Sequence, residues 1–484
     1  MNGKTTIGWA SRDITPDRPV SLRGLFNLRI ATRVNDPLIL TALAIESAGE
    51  QAIIVSIDSV AVDQPILEAG REALRERLPE FDPRKLIASA THTHTGPFNS
   101  CGVGLQNDED YMDDILAQYP DYMSTAEYSA LLIDALVSAA CEAWEKRGAG
   151  YLGWGYSYAV VGENRRVRYF DDRAVMYGKT NEPDFSHIEG HVDHGVHLLF
   201  TCDPEQNLTG VVVNVASPSQ ATESGQDFIS ADYWHETREE IRRRYGSDLF
   251  ILPQCSAAGD QTPHRLINTR AEDRMLMLKY GEERNRRSNT GLRLDIARRI
   301  ADAVGDAEPP VRKDLRDTVV FKHECLTLDL PHWDVTEEEH VALQEQMADM
   351  RKQLEKVGDS NRLDATYTSL RSRIAWCQRA ADRYENPLGS IPVEVHVLRL
   401  GDTAMVTVPF EYYLDFGDRI KGRSAAVQTF VVQLAGGGTY LATERAASGL
   451  SYGAVPASCR VSPEGGQVIV DEAIAIISRM FEDE

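Results

Sequence analysis

The chain has 484 residues, of which 42% are hydrophobic and 26% charged, and its net charge is −23. That balance is ordinary for a globular protein, argues against nucleic acid or an anionic membrane as a partner, and leaves a small molecule as the expected ligand. No apolar run approaches the ~18–20 residues of a membrane helix, and the opening M-N-G-K-T-T-I-G-W lacks the apolar core of an export signal.

Seven dispersed cysteines form no C-x-x-C pair, which predicts reduced thiols and a cytoplasmic location. The length permits two or three subdomains or one large elaborated domain. The reading adopted is a single unit over 1–484, interrupted by a helical insertion over 336–384.

In chain order, Ile7 to Ile14 reads as a first strand ending at Thr15-Pro16. Pro37 to Glu46 and Gln51 to Val62 are apolar runs joined at Ala48-Gly49-Glu50, a hairpin pattern. Pro65 to Leu78 has helical spacing and Lys85 to Ala90 is again strand-like, so strand, helix and strand alternate as in an α/β layer. Gly102 to Met123 reads as a polar surface loop. Tyr128 to Arg147 is an amphipathic helix with Leu131, Leu132, Ala135, Leu136 and Ala139 on one stripe.

Strands are expected over Tyr151 to Val161, Val192 to Phe200, Leu208 to Val215 and Leu249 to Leu252, with helices over Ala231 to Tyr245 and Glu272 to Val304. In Thr336 to Tyr384, Leu343, Met347, Met350 and Leu354 follow a 4-3-4 spacing, repeated after Gly358 by Leu363, Tyr367, Leu370, Ile374 and Cys377. This predicts a helical hairpin that lies on the body, forms a lid or pairs subunits in a homo-oligomer. Val393 to Leu400, Ala404 to Val408 and Thr429 to Leu434 read as strands and Asp471 to Phe481 as the closing helix. The fold class expected is α/β, with mixed sheets flanked by helices.

Leu86 to Pro97, L-I-A-S-A-T-H-T-H-T-G-P, carries the clearest chemical signal. A buried strand runs into His92 and His94, one residue apart, and stops at Gly96-Pro97. In extended backbone, alternate residues share a side, so both imidazoles are expected to face one point, as metal ligands on a rigid support do. Asp58 and Asp260, at strand ends, are candidates to orient such a histidine.

With these segments in order, the chain resembles the catalytic domain of the neutral, non-lysosomal ceramidases. The motifs that carry the resemblance are D-I-T-P, N-D-P-L-I-L-T-A-L-A-I, A-T-H-T-H-T-G-P, E-N-R-R, A-A-G-D-Q, V-P-F-E and T-Y-L-A-T. T-H-T-H-T-G-P is the most specific of them. The family's C-terminal immunoglobulin-like domain is not expected in this chain.

The family is a zinc amidase, so the resemblance implies zinc, held through His92, Glu411 and Tyr440, with His94, Arg165 and Tyr452 acting near the scissile bond. Two departures stand out. The family's second zinc histidine has no counterpart in Asn214-Val215-Ala216-Ser217-Pro218-Ser219-Gln220, and Phe410 replaces the glycine before the glutamate. His194 and His235 are the available replacements for the missing ligand, and Gln220 offers an amide oxygen. The function expected is metal-dependent hydrolysis of a C–N amide or ester bond in a small polar substrate, not ceramide. The alternative is a lyase or isomerase acting on a sugar- or cyclitol-like molecule after alteration of the metal site.

Overall fold

Alternation of apolar side chains accounts for the layers. In β2 (Ile39–Ser47), Leu40, Ala42 and Ala44 face one way while Leu43 and Ile45 face the other. In β3 (Glu50–Ile57), Ile53, Val55 and Ile57 join the first side and Ala52 and Ile54 the second. Strands buried on both faces read as nearly unbroken apolar runs, and each fully buried Leu or Ile contributes about 1.5–3 kcal/mol.

The computed structural model describes residues 2–99, 109–223, 226–281 and 289–482. β1 (Asn2–Asp13) precedes the β2–β3 hairpin, whose turn uses Ala48 and Gly49 at φ 54° and 84°. Helix α1 (Gln64–Arg77) then leads to β4 (Leu86–Ala90), parallel to β3. Helix α2 (Thr125–Glu145), opened by a Ser124–Glu127 capping box, packs with α1 on the outer face of these strands.

A second sheet comprises β5 (Tyr151–Tyr158), β6 (Gly195–Cys202), β7 (Leu208–Val215) and β8 (Phe250–Cys255), in the order β8-β7-β6-β5. Its outer face is covered by α3 (Tyr233–Tyr245) and α4 (Thr290–Val311). β9 (Thr318–Pro331), β10 (Ser390–Leu400), β11 (Thr403–Thr407) and β12 (Gln428–Val432) complete the large sheet, ordered β12-β11-β10-β9-β1-β2-β3-β4. The two sheets meet through Trp9, Leu43, Ile54, Leu199, Val212 and Leu252, among others. The architecture is therefore helix, sheet, sheet, helix, an α/β fold as expected.

Between β9 and β10 lie α5 (Glu337–Val357) and α6 (Ala365–Glu385), the expected helical hairpin, closed on a seam of Leu343, Met347, Cys377, Ala380 and Ala381. It lies on the body, where Arg383 donates to the carbonyls of Cys459 and Pro456. α7 (Leu414–Arg423) and α8 (Pro463–Phe481) cover the outer face of β10–β12.

Two expectations are corrected. Part of the stretch expected as a loop is a helix, Glu109–Gln118, because Tyr111 and Ile115 lie one turn apart and both bury; residues 102–108 lie outside the described residues. The closing helix begins at Pro463, not Asp471. A proline suits the first turn, and Gly466 lets the helix approach Phe416, whose ring would stand 2.2 Å from any Cβ there.

Candidate active site

Loops at the C-terminal ends of β4, β7, β8, β11 and β12 converge, where parallel strands with crossover connections leave a crevice. β4 ends at Ala90, and His92 sits in the left-handed region at φ 67°, which a non-glycine residue adopts only when its surroundings impose it. The His92 amide donates to Ser59 O at 2.8 Å. The two imidazoles thus meet through a turn, with ring centroids 5.0 Å apart, and not through strand alternation as expected.

His92 Nδ1 lies 2.7 Å from Val60 O. A carbonyl only accepts, so Nδ1 is the donor and Nε2 is the nitrogen left facing the site. That Nε2 stands 3.4 Å from Glu411 Oε2 and 3.4 Å from His94 Nε2. The carbonyl of Val60, not Asp58 or Asp260, orients this ring. Asp58 takes a two-point ion pair from Arg238, at 2.7 and 3.0 Å, and a hydrogen bond from Thr91. Asp260 accepts from Asn164 Nδ2 and the Leu414 amide.

Glu411 and Tyr440 arrive on two short parallel segments, Glu411–Tyr412 and Tyr440–Leu441, that pair directly. Gly438 allows this approach: a Cβ there would meet Pro409 O at 1.5 Å. Phe410, where the resemblance implied glycine, turns into the core and its carbonyl accepts from the Leu434 amide. Burial alone would raise the Glu411 pKa, but His92, Arg165 and the Tyr440 hydroxyl outweigh it and hold the carboxyl below its usual range. Burial, then Glu411, pushes the Tyr440 phenol well up.

Arg165 is held by Asn164-Arg165-Arg166, and its side chain is 2% exposed. Nη1 donates to Gln220 Oε1 at 3.2 Å and Tyr177 OH at 3.3 Å; Nη2 donates to Gly259 O at 3.0 Å and Tyr440 OH at 3.2 Å. With Oε1 fixed on Arg165, the Gln220 amide nitrogen must face His94 Nε2. His94 therefore accepts through Nε2 and carries its proton on Nδ1, which has no partner among the described residues. Burial, followed by His92, drives the His94 pKa well down, so the ring is neutral. Arg165 was expected to act on the reacting group; both its Nη groups are engaged by the protein, which sets it to position Tyr440 and Gln220. Nη2 also lies 3.7 Å from Glu411 Oε2, and the buried Nε has no partner among the described residues.

Tyr452 is 40% exposed and sits at the mouth, its ring 5.6 Å from that of Tyr440. It closes a triangle with Phe26 and Trp376 of α6, at 5.8 and 5.8 Å, and Phe26 and Trp376 are 5.5 Å apart. The helical hairpin is thus a wall of the site. Burial and then Glu411 push the Tyr452 phenol to about 12.

Of the predicted residues, His92, His94, Arg165, Glu411, Tyr440 and Tyr452 come together. His194 and His235 do not. His194 lies in the turn before β6, where its carbonyl takes the Ala159 amide; His235 is in the first turn of α3. Among the described residues no hydrogen bond or ion pair joins either to His92, Glu411 or Tyr440. The side chain that fills the space beside His94 is Gln220.

Phe26, Arg29, Trp376 and Glu223 were missed, because nothing in their local pattern separates them from ordinary core or surface residues. A second cluster of potential ligands, Cys325, Glu394 and His396, lies on β9 and β10. There Arg71 donates to both Glu394 oxygens, at 2.9 and 2.7 Å, and His396 bonds Glu394 and His323. Its carboxylate is already paired with a cation.

His92 Nε2 and Glu411 Oε2, 3.4 Å apart, stand at the separation of two ligands on one tetrahedral ion, about 3.3–3.4 Å for ligands about 2.0–2.1 Å from the metal. His94 Nε2 is taken by the Gln220 amide, which leaves His92 Nε2 and the Glu411 carboxylate, bonded by the Tyr440 hydroxyl, as the donors that meet. The donor set therefore fits a cation held by His92, Glu411 and Tyr440.

The layers define a two-sheet α/β fold, and it is the fold of the neutral ceramidases. Neutral ceramidase from Pseudomonas aeruginosa superposes with a TM-score of 0.67 at 16% identity, over 99% of this chain and 75% of that one. A ceramidase complexed with C2 gives 0.68 at 15%, over 99% and 76%. No protein-family model and no curated protein sequence matches the chain. Among the described residues, no helix is long and apolar enough to cross a membrane.

Proposed function

We propose that the chain is a metal-dependent hydrolase of a C–N amide or ester bond in a small polar substrate. The observation that carries this reading is the meeting of His92 Nε2, on the loop after β4, with Glu411 Oε2 at 3.4 Å, the Tyr440 hydroxyl bonding Glu411 from the paired segment beside it. Zinc bound there would bring a bound water to a pKa near ~7 and polarise the substrate carbonyl.

The chain's own residues do the rest. Val60 O fixes the His92 tautomer. Arg165 holds Tyr440 and Gln220 in place, and Gln220 holds His94 neutral with its Nδ1 proton free. Tyr452, with its phenol protonated at neutral pH, stands at the mouth as a donor to an oxyanion or a leaving group. The net charge of −23 speaks for a diffusible substrate over ceramide in an anionic membrane.

A second reading, a lyase or isomerase acting on a sugar- or cyclitol-like molecule, draws on Gln220, an amide standing beside His94 where the resemblance called for a metal histidine. Elemental analysis of protein purified without chelator, followed by product analysis on amide and ester panels, separates the two. Stoichiometric zinc that is lost in His92→Ala, together with hydrolysis products, supports the first. Zinc retained unchanged in His92→Ala removes that histidine from the centre.

A further inference from the structure

The segment Leu22 to Arg29 folds over the site. The Leu22 amide bonds Arg29 O at 2.8 Å and the Arg23 amide bonds Gly96 O at 3.0 Å, so the loop is tied to the histidine segment. Gly24, at φ 110°, lies flat on His94: a Cβ would stand 2.6 Å from the ring Cγ and 2.8 Å from Nδ1. The Leu28 amide bonds Thr368 Oγ1 of α6 at 3.1 Å. The loop ends in Arg29, which is 6% exposed.

Arg29 spends one nitrogen on the fold: Nη2 donates to Arg23 O at 2.7 Å. Nε and Nη1 are buried and have no partner among the described residues. Burial pulls its pKa to about 10, with Glu223 the carboxylate that acts against this. Glu223 is itself occupied, accepting from Tyr177 OH at 3.2 Å and lying 3.9 Å from His264 Nε2. The Arg29 charge in turn acts on His94. Arg29 Nε and Nη1, and His94 Nδ1 beneath Gly24 of the same loop, are thus three buried donors with no acceptor among the described residues. A buried guanidinium left this way is costly unless something completes it, and what three donors and a positive charge lack is an oxyanion. In a chain of net charge −23, such a site works only at short range.

We infer that Arg29 is a specificity-determining residue that holds an anionic oxygen group of the substrate, a carboxylate or a phosphate, beside the bond presented to the His92 centre. The inference rests on the hydrolase reading of that centre and names the substrate class.

The test is a matched panel of one amide with three tails: N-acetylglycine, N-acetylethanolamine phosphate and neutral N-acetylethanolamine. With the metal-loaded wild type, kcat/KM for one of the anions should exceed that for the neutral compound by at least about 100-fold, and the better anion identifies the group. In Arg29→Met the ratio should fall to near one, and Arg29→Lys should restore part of it. A wild type that prefers the neutral compound, or hydrolyses all three alike, overturns the inference whether or not the variants fold. If none is hydrolysed, the hydrolase reading fails on this panel and calorimetry decides the Arg29 site. Binding of N-acetylglycine or N-acetylethanolamine phosphate to the wild type, at least tenfold weaker in folded Arg29→Met, upholds it. No binding of either anion overturns it.

Discussion

Glu411 and Tyr440 are direct register partners in a parallel ladder only two residues long. Their side chains are therefore set side by side by main-chain pairing, not by chance approach of two loops. Glu411 brings a formal charge and Tyr440 a protonated phenol, so the two should contribute unequally to a cation. Glu411→Gln should weaken zinc by at least about 100-fold, and Tyr440→Phe by less, about 10-fold. Competition against a chelator of known affinity measures both; equal losses would contradict this division.

Arg165 links Gly259, Tyr177, Gln220 and Tyr440 from a buried position. Arg165→Met leaves four acceptors unserved, which should cost about 3 kcal/mol or more in denaturant unfolding. If Arg165 positions and does not touch substrate, the loss in kcat should exceed any change in KM.

The Asp58–Arg238 pair is almost fully buried, with side chains 0% and 3% exposed. Removing one partner strands the other, so Asp58→Ala should cost about 3–5 kcal/mol. Adding Arg238→Met should return much of that. A double variant as unstable as the single one would show that the pair is not what holds this region.

Trp376 joins the helical hairpin to Phe26 and Tyr452. Trp376→Ala should open that wall and raise KM by about 10-fold, with metal content unchanged. Deleting the hairpin, Thr336 to Tyr384, should do the same and lower the Tm. A deletion variant with unchanged Tm, solution mass and activity would show the hairpin to be dispensable.

Burial, with Lys421 second, holds the His197 pKa at about 3, and burial, with His396 second, does the same for His323. An unfolded histidine titrates near ~6.5. Between these values the unfolded chain binds more protons, so this part of the stability is present above about pH 6.5 and is lost as pH falls toward about 3. Denaturation midpoints measured from pH 7.5 to 4 should fall, and the C2 proton resonances of His197 and His323 should not titrate above pH 4. Ordinary titration of either near pH 6.5 would contradict its burial as the neutral form.

The strands and helices were legible where one periodicity dominated. Pro37 to Val62 and the 4-3-4 spacing of Leu343 to Leu354 gave their elements within a few residues. Glu109–Gln118 was not, because its two buried residues sit among acids that mask any stripe. Segment order also gave the six residues that meet at the site, through the resemblance their motifs carry.

What the sequence determined alone is the alternation that builds two sheets, the small residues that let loops approach, and the motif order that marks His92, Glu411 and Tyr440. What only the tertiary structure decided is which side chains those groups meet. His92 is aimed by a carbonyl, which no side-chain pattern encodes. Gln220, and neither His194 nor His235, stands beside His94, because a chain reversal after β7 brings it there. Arg29 looks like any arginine in sequence. Only burial, with Nε and Nη1 unpaired among the described residues on the loop that covers His94, gives it a chemical role, since the energy of a charge is set by its surroundings and not by its neighbours along the chain.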